Sequence, residues 1–323
     1  MKAIKVREFG GPEVLRLEEV EDLEPGPGQV LVRLKAAGVN PVDAYIRSGT
    51  YGRKPPLHYT PGMDGAGTVE KIGPKVKGLK KGARVYVESA LTGTYAEACL
   101  AETRNVHPLP PSLTFPQGAA IGVPYATAHQ ALFGKAKAKK GETVLVHGAS
   151  GGTGTAAVQL AKAAQMRVLG TAGTEQGMQL VREQGAAEVF DHKAPDYLER
   201  ILKFTGGKGV DVLLEMAAQI NLGKDLNLLA SHGRVVVIGS RGPVEINPRD
   251  LMSRDAAILA MTLFNVSPLD KLKIHLDLVK GLKSGKLKPV VGRELPLDQA
   301  AQAQEAVLQP GAFGKIVLIP SND

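Results

Sequence analysis

Residues 143–164, TVLVHGASGGTGTAAVQLAKAA, constrain the fold more than any other part of the chain. A short apolar run of strand character meets a cluster of glycines, and an alanine-rich run of helical character follows. Such a strand–turn–helix brings free backbone N–H groups and the positive end of a helix dipole to one corner, where an anion can sit. Gly151 leaves room for backbone amides to close on a phosphate, and Gly154 lets the helix pack against the strand. Ala149 stands where the first glycine of G-x-G-x-x-G is usual, with Gly148 adjacent. The motif is therefore a variant and draws its weight from context.

That context is a repeating alternation. Apolar runs at 143–148, 167–172, 188–191, 210–217, 234–239 and 256–262 read as strands, and 152–165, 174–184, 195–205 and 222–231 read as helices. Near-continuous apolar strands separated by helices predict a parallel sheet buried on both faces. Six of them match a doubly wound dinucleotide fold. The second strand bears on which dinucleotide. NAD is usually held by an acid at that strand's tip. Here the tip is Thr171-Ala172-Gly173-Thr174, and Glu175 opens a helix, where an acid is favourable on other grounds. The missing acid favours NADP, with His192 and the neighbouring Lys193 as candidate partners of its 2′-phosphate.

The first 120 residues have a different rhythm. Runs 29–39, 65–73, 82–88 and 94–102 are short strands bordered by Gly or Pro, and a barrel-like or sandwich domain is expected. Near the other end, 268–287 reads as an amphipathic helix, LDQAAQAQEAVLQ as another, and GKIVLIP as a closing strand without parallel-sheet context. That strand is expected to return to the first domain. The nucleotide domain is then an insertion, 125–264, within a domain formed by 1–124 and 265–323. Only the final PSND reads as a candidate for disorder.

Hydrophobic residues make up 43% of the 323, but aromatics only 4% with no Trp, so aliphatic side chains, Ala and Gly must fill the core. The single cysteine, Cys99, excludes an internal disulfide and a thiolate zinc cluster, and fits a reduced, cytoplasmic setting. The N-terminus alternates like a strand and lacks a signal-peptide core, and no apolar run reaches the roughly 18–20 residues of a membrane span. The formal charge of +8 favours anionic partners, whether cofactor phosphates, nucleic acid or a membrane surface. Yet the densest basic run, GKAKAKKGE at 134–142, has no aromatic interleaving and makes a poor nucleic-acid signature.

Hydrolytic and metal chemistry find little support. Ser150 in HGASGG does not satisfy the nucleophile-elbow pattern, and the seven histidines are scattered without a helical ligand spacing. Hydride transfer remains, with the cofactor carrying the reactive hydrogen. For it, AAGVNPVDAYIRSGTY at 36–51 offers Asn40, Asp43, Tyr45 and Tyr51. A phenol can donate to a developing oxyanion while its ring lines a flat apolar slot.

Together AAGVNPVDAYIRSGTY, HYTPGMDGAGTVEKIG, GAAIGVPYATAHQAL, VLVHGASGGTG, GTAGTEQG and VVVIGSRGPVEINPRDLM resemble the quinone oxidoreductase branch of the medium-chain dehydrogenase/reductase superfamily, the branch that includes zeta-crystallin. The resemblance runs from Met1 to the closing strand. It implies an α/β chain in which a GroES-like, β-rich catalytic domain carries an inserted doubly wound Rossmann domain, with the nicotinamide in the cleft between them. Zinc-dependent relatives place a cysteine ligand where this chain has Asn40, and carry a four-cysteine zinc loop it lacks, so no metal is expected. By motif, Tyr45 and Tyr51 match active-site tyrosines, Tyr45 also touching the cofactor, and Asn40 belongs to the same catalytic segment. Ser150, Gly151, Gly152 and Thr153 match the pyrophosphate loop, and Gly173 and His192 the adenosine-phosphate pocket. Asn221, then Ile238, Gly239, Ser240 and Arg241, and Met261, Thr262 and Leu263 match segments at the nicotinamide.

The implied activity is zinc-independent NADPH:quinone reduction, with ortho-quinones taken by one-electron steps to semiquinones. NADPH-dependent reduction of alkenals or enoyl groups is the alternative within the same superfamily. A third reading, of another class, is AU-rich RNA binding or a structural crystallin-type role. The resemblance also implies a dimer or tetramer, with the strand at 256–262 a candidate edge for pairing.

Overall fold

The computed structural model describes residues 1–320; the disorder expected of the final residues falls largely on 321–323, outside the described residues. The chain divides into two units. One comprises Met1–Val123, His275–Gln309 and Gly314–Asp323, the other Pro124–Ile274 and Pro310–Phe313.

In the first unit, β1 (Lys2–Val6) and β2 (Leu15–Glu19) form an antiparallel pair. β3 (Gln29–Val39) is the long central strand, with Val30, Val32, Leu34, Ala36 and Ala37 buried. It leads into α1 (Pro41–Arg47), then β4 (Asp64–Ile72), β5 (Arg84–Glu88), β6 (Ala98–Glu102) and β7 (Val106–Pro108). Val30, Val32, Leu34, Val69, Val85, Val87 and Cys99 make a dry aliphatic core, the packing expected of a chain poor in aromatics. α2 (Phe115–Ala119) ends this part, and α3 (Gly122–His129) carries the chain into the second unit.

The second unit opens with β8 (Thr143–Val146) and α4 (Gly152–Ala163), followed by β9 (Arg167–Ala172), α5 (Glu175–Gln184), β10 (Glu188–Asp191), α6 (Tyr197–Phe204) and β11 (Val210–Glu215). α7 (Ala218–Asp225), β12 (Leu229–Val237), α8 (Pro248–Met252) and β13 (Ala257–Ala260) complete it. The strands form one parallel sheet in the order β10-β9-β8-β11-β12-β13, the doubly wound arrangement with its switch between β8 and β11. Leu145, Leu169, Val210, Leu213 and Val235 from the sheet pack with Ile201, Leu222 and Leu226. The helix expected over 222–231 lies earlier. α7 ends at Asp225, a short 3-10 turn covers Leu226–Leu228, and β12 already begins at Leu229. The apolar run at 226–229 fills the core as a turn and a strand start, not as a helical face.

Helix α9 (Pro268–Lys283) returns the chain to the first unit, where β14 (Val291–Pro296), α10 (Ala300–Ala306) and β15 (Lys315–Ile319) follow. The larger sheet runs β14-β15-β3-β4-β5-β7, with β6 also paired to β3. β15 pairs antiparallel with β3, as a returning strand should, but parallel with β14. α10 supplies the crossover that the parallel pair needs. Among the described residues, no helix is long and apolar enough to cross a membrane.

Candidate active site

The glycine corner lies where the alternating pattern places it. Gly151 is the N-cap of α4 and, lacking a side chain, leaves the first-turn N–H groups uncapped by any side chain. A Cβ on Gly154 would stand 2.3 Å from the Gly148 carbonyl oxygen and 2.6 Å from the Ala149 Cα, so only glycine allows α4 to start this close to β8. Ser150, Gly151, Gly152 and Thr153 therefore form one turn at the start of α4, in which the Gly151 N–H donates to the Gly148 carbonyl (3.2 Å). This is the backbone geometry a pyrophosphate needs.

At the tip of β9 Gly173 lies close against two side chains: a Cβ there would stand 2.5 Å from His192 Nε2 and 3.1 Å from Lys193 Cε. The structure thus brings Gly173, His192 and Lys193 together. Thr174 caps α5 by accepting from the Gly177 N–H (3.0 Å), and Glu175, 81% exposed, reaches toward Arg182 at 3.8 Å. The corner has no inward acid at the place where a ribose hydroxyl would be read.

The other side of the switch carries a second group. The amides of Ile238 and Gly239 donate to the Glu215 carbonyl (2.8 and 3.3 Å), Gly239 accepts from the Ala218 N–H (2.9 Å), and the Met261 amide donates to Val237 (3.2 Å). Arg241 N–H donates to Gln219 Oε1 (2.9 Å), Ser240 Oγ donates to the Gly242 carbonyl (2.8 Å), and Thr262 caps the turn Leu263–Asn265. The expected 238–241 and 261–263 segments and α7, with Asn221, so meet at one edge of the sheet.

In the first unit, Tyr45 and Tyr51 flank the turn after α1. The Tyr45 carbonyl accepts from the amides of Thr50 (3.2 Å) and Tyr51 (3.1 Å) and from Ser48 Oγ (3.1 Å), which ties the two tyrosines into one loop. Both are partly exposed. Asn40 is different. It is 2% exposed; its Nδ2 donates to Asp64 Oδ2 (2.9 Å) and its Oδ1 accepts from Lys315 Nζ (2.5 Å). An amide committed at both ends is not free to address an acceptor. Asn40 ties the start of α1 to Asp64 and Lys315.

The same network explains Asp43. Its Oδ2 accepts from the Asn40 N–H (2.9 Å) and the Tyr95 hydroxyl (3.0 Å), and burial pushes its carboxyl up to about 7 despite the pull of Lys315. Asp64 accepts further from the Val123 N–H (2.7 Å) and from Lys315 Nζ (3.1 Å). Lys315 is the residue that sequence reasoning missed here. Its signal was a lone cation opening the apolar run KIVLI.

A zinc ion does not fit beside Asn40: an amide replaces the thiolate and an ammonium already stands 2.5 Å from it. Two other clusters bring three ligand-type atoms within 4.8 Å of one another, Glu88–His107–His275 and His147–Glu215–Asp225. In the first, the imidazoles stack 4.1 Å apart at 6°, so their lone pairs lie in parallel planes and do not converge on one ion. Burial also drives His107 down to about 4, which keeps it neutral. In the second, both His147 nitrogens are already hydrogen-bonded, to Thr171 Oγ1 (3.1 Å) and Asp225 Oδ1 (2.9 Å).

Two family models match the chain: the alcohol dehydrogenase GroES-like domain over residues 26–111 and the zinc-binding dehydrogenase domain over 152–279. A quinone oxidoreductase from Lama guanicoe is 52% identical over 99% of this chain and 97% of its own length; the one from Homo sapiens is 50% identical over 99% and 98%. Among solved structures, the Escherichia coli quinone oxidoreductase complexed with NADPH superposes with a TM-score of 0.87 at 30% identity, covering 99% of this chain and all of that one. Likeness at this level over the whole length, on an uncapped glycine corner and a sheet of order 3-2-1-4-5-6, places the chain in the quinone oxidoreductase family of medium-chain dehydrogenases/reductases.

Proposed function

We propose that the chain is a zinc-independent, NADPH-dependent quinone oxidoreductase. One observation carries the reading. Within a single unit, an uncapped helix N-terminus at Gly151 accompanies an acid-free β9 tip beside His192 and Lys193. The first supports a pyrophosphate and the second a 2′-phosphate. The amides of Ser150, Gly151, Gly152 and Thr153 would hold the pyrophosphate, Gly173 and His192 the adenosine phosphate, and Asn221, 238–241 and 261–263 the nicotinamide half. When bound, NADPH supplies the reducing equivalents. Tyr45 and Tyr51 take the acceptor. A phenol O–H donates to the oxygen that gains negative charge, and the ring offers a flat apolar face to a quinone.

The test is calorimetric titration with NADPH and NADH in parallel, followed by a panel of ortho-quinones and alkenals. NADPH should bind more tightly, and quinones should be consumed faster. A faster rate with the alkenal reassigns the chain to unsaturated-carbonyl reduction, and no binding of either nucleotide at millimolar concentration refutes the redox reading altogether.

The single buried Cys99 supports a reducing, cytoplasmic setting. The outermost position of β13 supports pairing of this strand across a twofold axis into a dimer or tetramer; a monomer by light scattering refutes that. RNA binding at the nucleotide site would be competed by NADPH, and RNA retained at saturating NADPH rules out that site.

A further inference from the structure

Three titratable side chains lie buried beneath the nucleotide corner with no part in holding phosphate: His147 at 3% exposure, Glu215 and Asp225 at 0%. They sit at the ends of adjacent strands. His147 follows β8, Glu215 closes β11, and Asp225 ends α7. Thr171 of β9 completes the group.

One arrangement of protons satisfies these donors and acceptors together. The Gly148 N–H donates to Thr171 Oγ1 (3.3 Å), and the threonine proton is available to His147 Nδ1 (3.1 Å). A neutral His147 then carries its proton on Nε2 and donates to Asp225 Oδ1 (2.9 Å). At the far end Glu215 Oε1 accepts from the Ala217 N–H and from Asn221 Nδ2 (3.3 Å). Two buried oxygens remain without a partner, Glu215 Oε2 and Asp225 Oδ2. A single proton on Glu215, donated to Asp225, satisfies both. Burial supports the count: it lifts each carboxyl to about 7 and pushes the imidazole down. The pair therefore shares one proton near neutrality.

We propose that Glu215 is a positioning residue for the cofactor, and that one proton held between Glu215 and Asp225 locks a relay from the glycine corner through Thr171 and His147 to Asn221. The inference rests on the nucleotide reading above. With the proton in place, the pyrophosphate turn and the α7 turn are tied across β9, β8 and β11. Without it, two carboxylates face each other in the core, and the turn from Ala217 to Asn221 loses its fixed partner. The charged and titratable neighbours are few: Lys224 faces Asp225, Tyr197 faces both carboxyls, and His192 lies toward His147.

The experiment measures NADPH dissociation constants from pH 6 to 8 for the wild type, Glu215→Gln and Glu215→Ala. Glutamine donates to Asp225 and accepts from Ala217 and Asn221 at every pH, so it mimics the protonated acid permanently. The wild type should bind about tenfold more weakly at pH 8 than at pH 6, since affinity follows the protonated fraction of a group with an apparent pKa near 7. E215Q should hold its pH 6 affinity to pH 8, and E215A should bind weakly throughout. The 2′-phosphate and His192 titrate in all three proteins and cancel in the comparison. Equal pH dependence in wild type and E215Q, or loss in E215Q as large as in E215A, overturns the proposal.

A second measurement works without nucleotide. An acid whose folded pKa is raised loses stability as pH climbs from its unfolded value, 4.5, to its folded value, about 7. The melting temperature of E215Q should therefore rise relative to wild type between pH 5 and pH 8. A constant difference refutes the shared proton. A rising difference without NADPH binding at any pH refutes the nucleotide reading, and the positioning role with it, while leaving the proton assigned.

Discussion

Replacing Lys315 by methionine is the sharpest test of how the first unit is held together. Lys315 and Asp64 have side chains only 4% and 0% exposed, with charged atoms 3.1 Å apart. At an effective dielectric of roughly 20, that separation corresponds to an attraction of about 5 kcal/mol. Desolvation of both ions offsets most of it, so the pair as a whole contributes little compared with an apolar pair. Breaking it is another matter. Lys315→Met keeps the apolar stem but leaves the Asp64 carboxylate with only Asn40 Nδ2 and the Val123 N–H, and leaves Asn40 Oδ1 without its donor. One uncompensated buried charge costs about 3–5 kcal/mol.

For a unit of this size, such a loss lowers the melting temperature by roughly 6–20 °C. Differential scanning calorimetry at pH 7 reads it directly. The matched variant is the double substitution Lys315→Met with Asp64→Asn, which removes both charges. If the argument is right, the double variant is more stable than the sum of the two single losses implies by at least about 2 kcal/mol. A loss below about 1 kcal/mol for K315M, or a coupling near zero, would show that water or relaxation already screens this pair and would refute the reasoning.

Three further outcomes are expected. Tyr45→Phe should lower quinone turnover more than it weakens NADPH binding, as stopped-flow and calorimetry can separate; a greater loss of affinity moves Tyr45 to the cofactor. Gly154→Ala sets a Cβ 2.3 Å from the Gly148 oxygen, so it should weaken NADPH at least about tenfold and cost about 1–3 kcal/mol in urea unfolding. Asp43 has a carboxyl raised to about 7 by burial, so its contribution to stability is full below the usual 3.8 and disappears as pH rises to 7. The stability of wild type relative to Asp43→Asn should fall by up to about 4 kcal/mol across that window, and a flat difference means that Asp43 is ionised throughout.

What could be read from the chain follows the physics of each pattern. The strand at 29–39 is bordered by Gly28 and Pro41 and the apolar run at 143–148 ends in Gly148, and both strands lie within a residue or two of where the pattern sets them. The 222–231 helix failed because Leu226, Leu228 and Leu229 are apolar at a spacing that suits either a helical face or a turn entering a strand, and only the sheet decides between them. The change of unit inside α9, between Ile274 and His275, has no Gly or Pro to mark it, whereas a pattern reading stops at the last parallel strand, near 264. Tyr45 and Tyr51 stand out by residue type but not as one loop, because the Tyr45 carbonyl that gathers the turn leaves no trace in residue type.

The groups that escaped notice share one property: each is a polar or charged residue at the end of a largely apolar strand. His147 follows TVLV, Glu215 ends VDVLLE, and Lys315 opens KIVLI. Burial patterns expect solvent or a partner for such residues, and no local spacing names the partner, since Lys315 meets an aspartate 251 positions away and His147 one 78 away. The same consideration separates the two halves of the chain chemically. Near Asn40, a buried ammonium has taken the neighbourhood in which zinc-dependent relatives place a thiolate, so the positive charge there is fixed in the fold and serves Asp64. Beneath the nucleotide corner the buried charge is negative and can be cancelled by one proton. If Glu215 positions the cofactor as proposed, an anionic cofactor is best received when that proton is present.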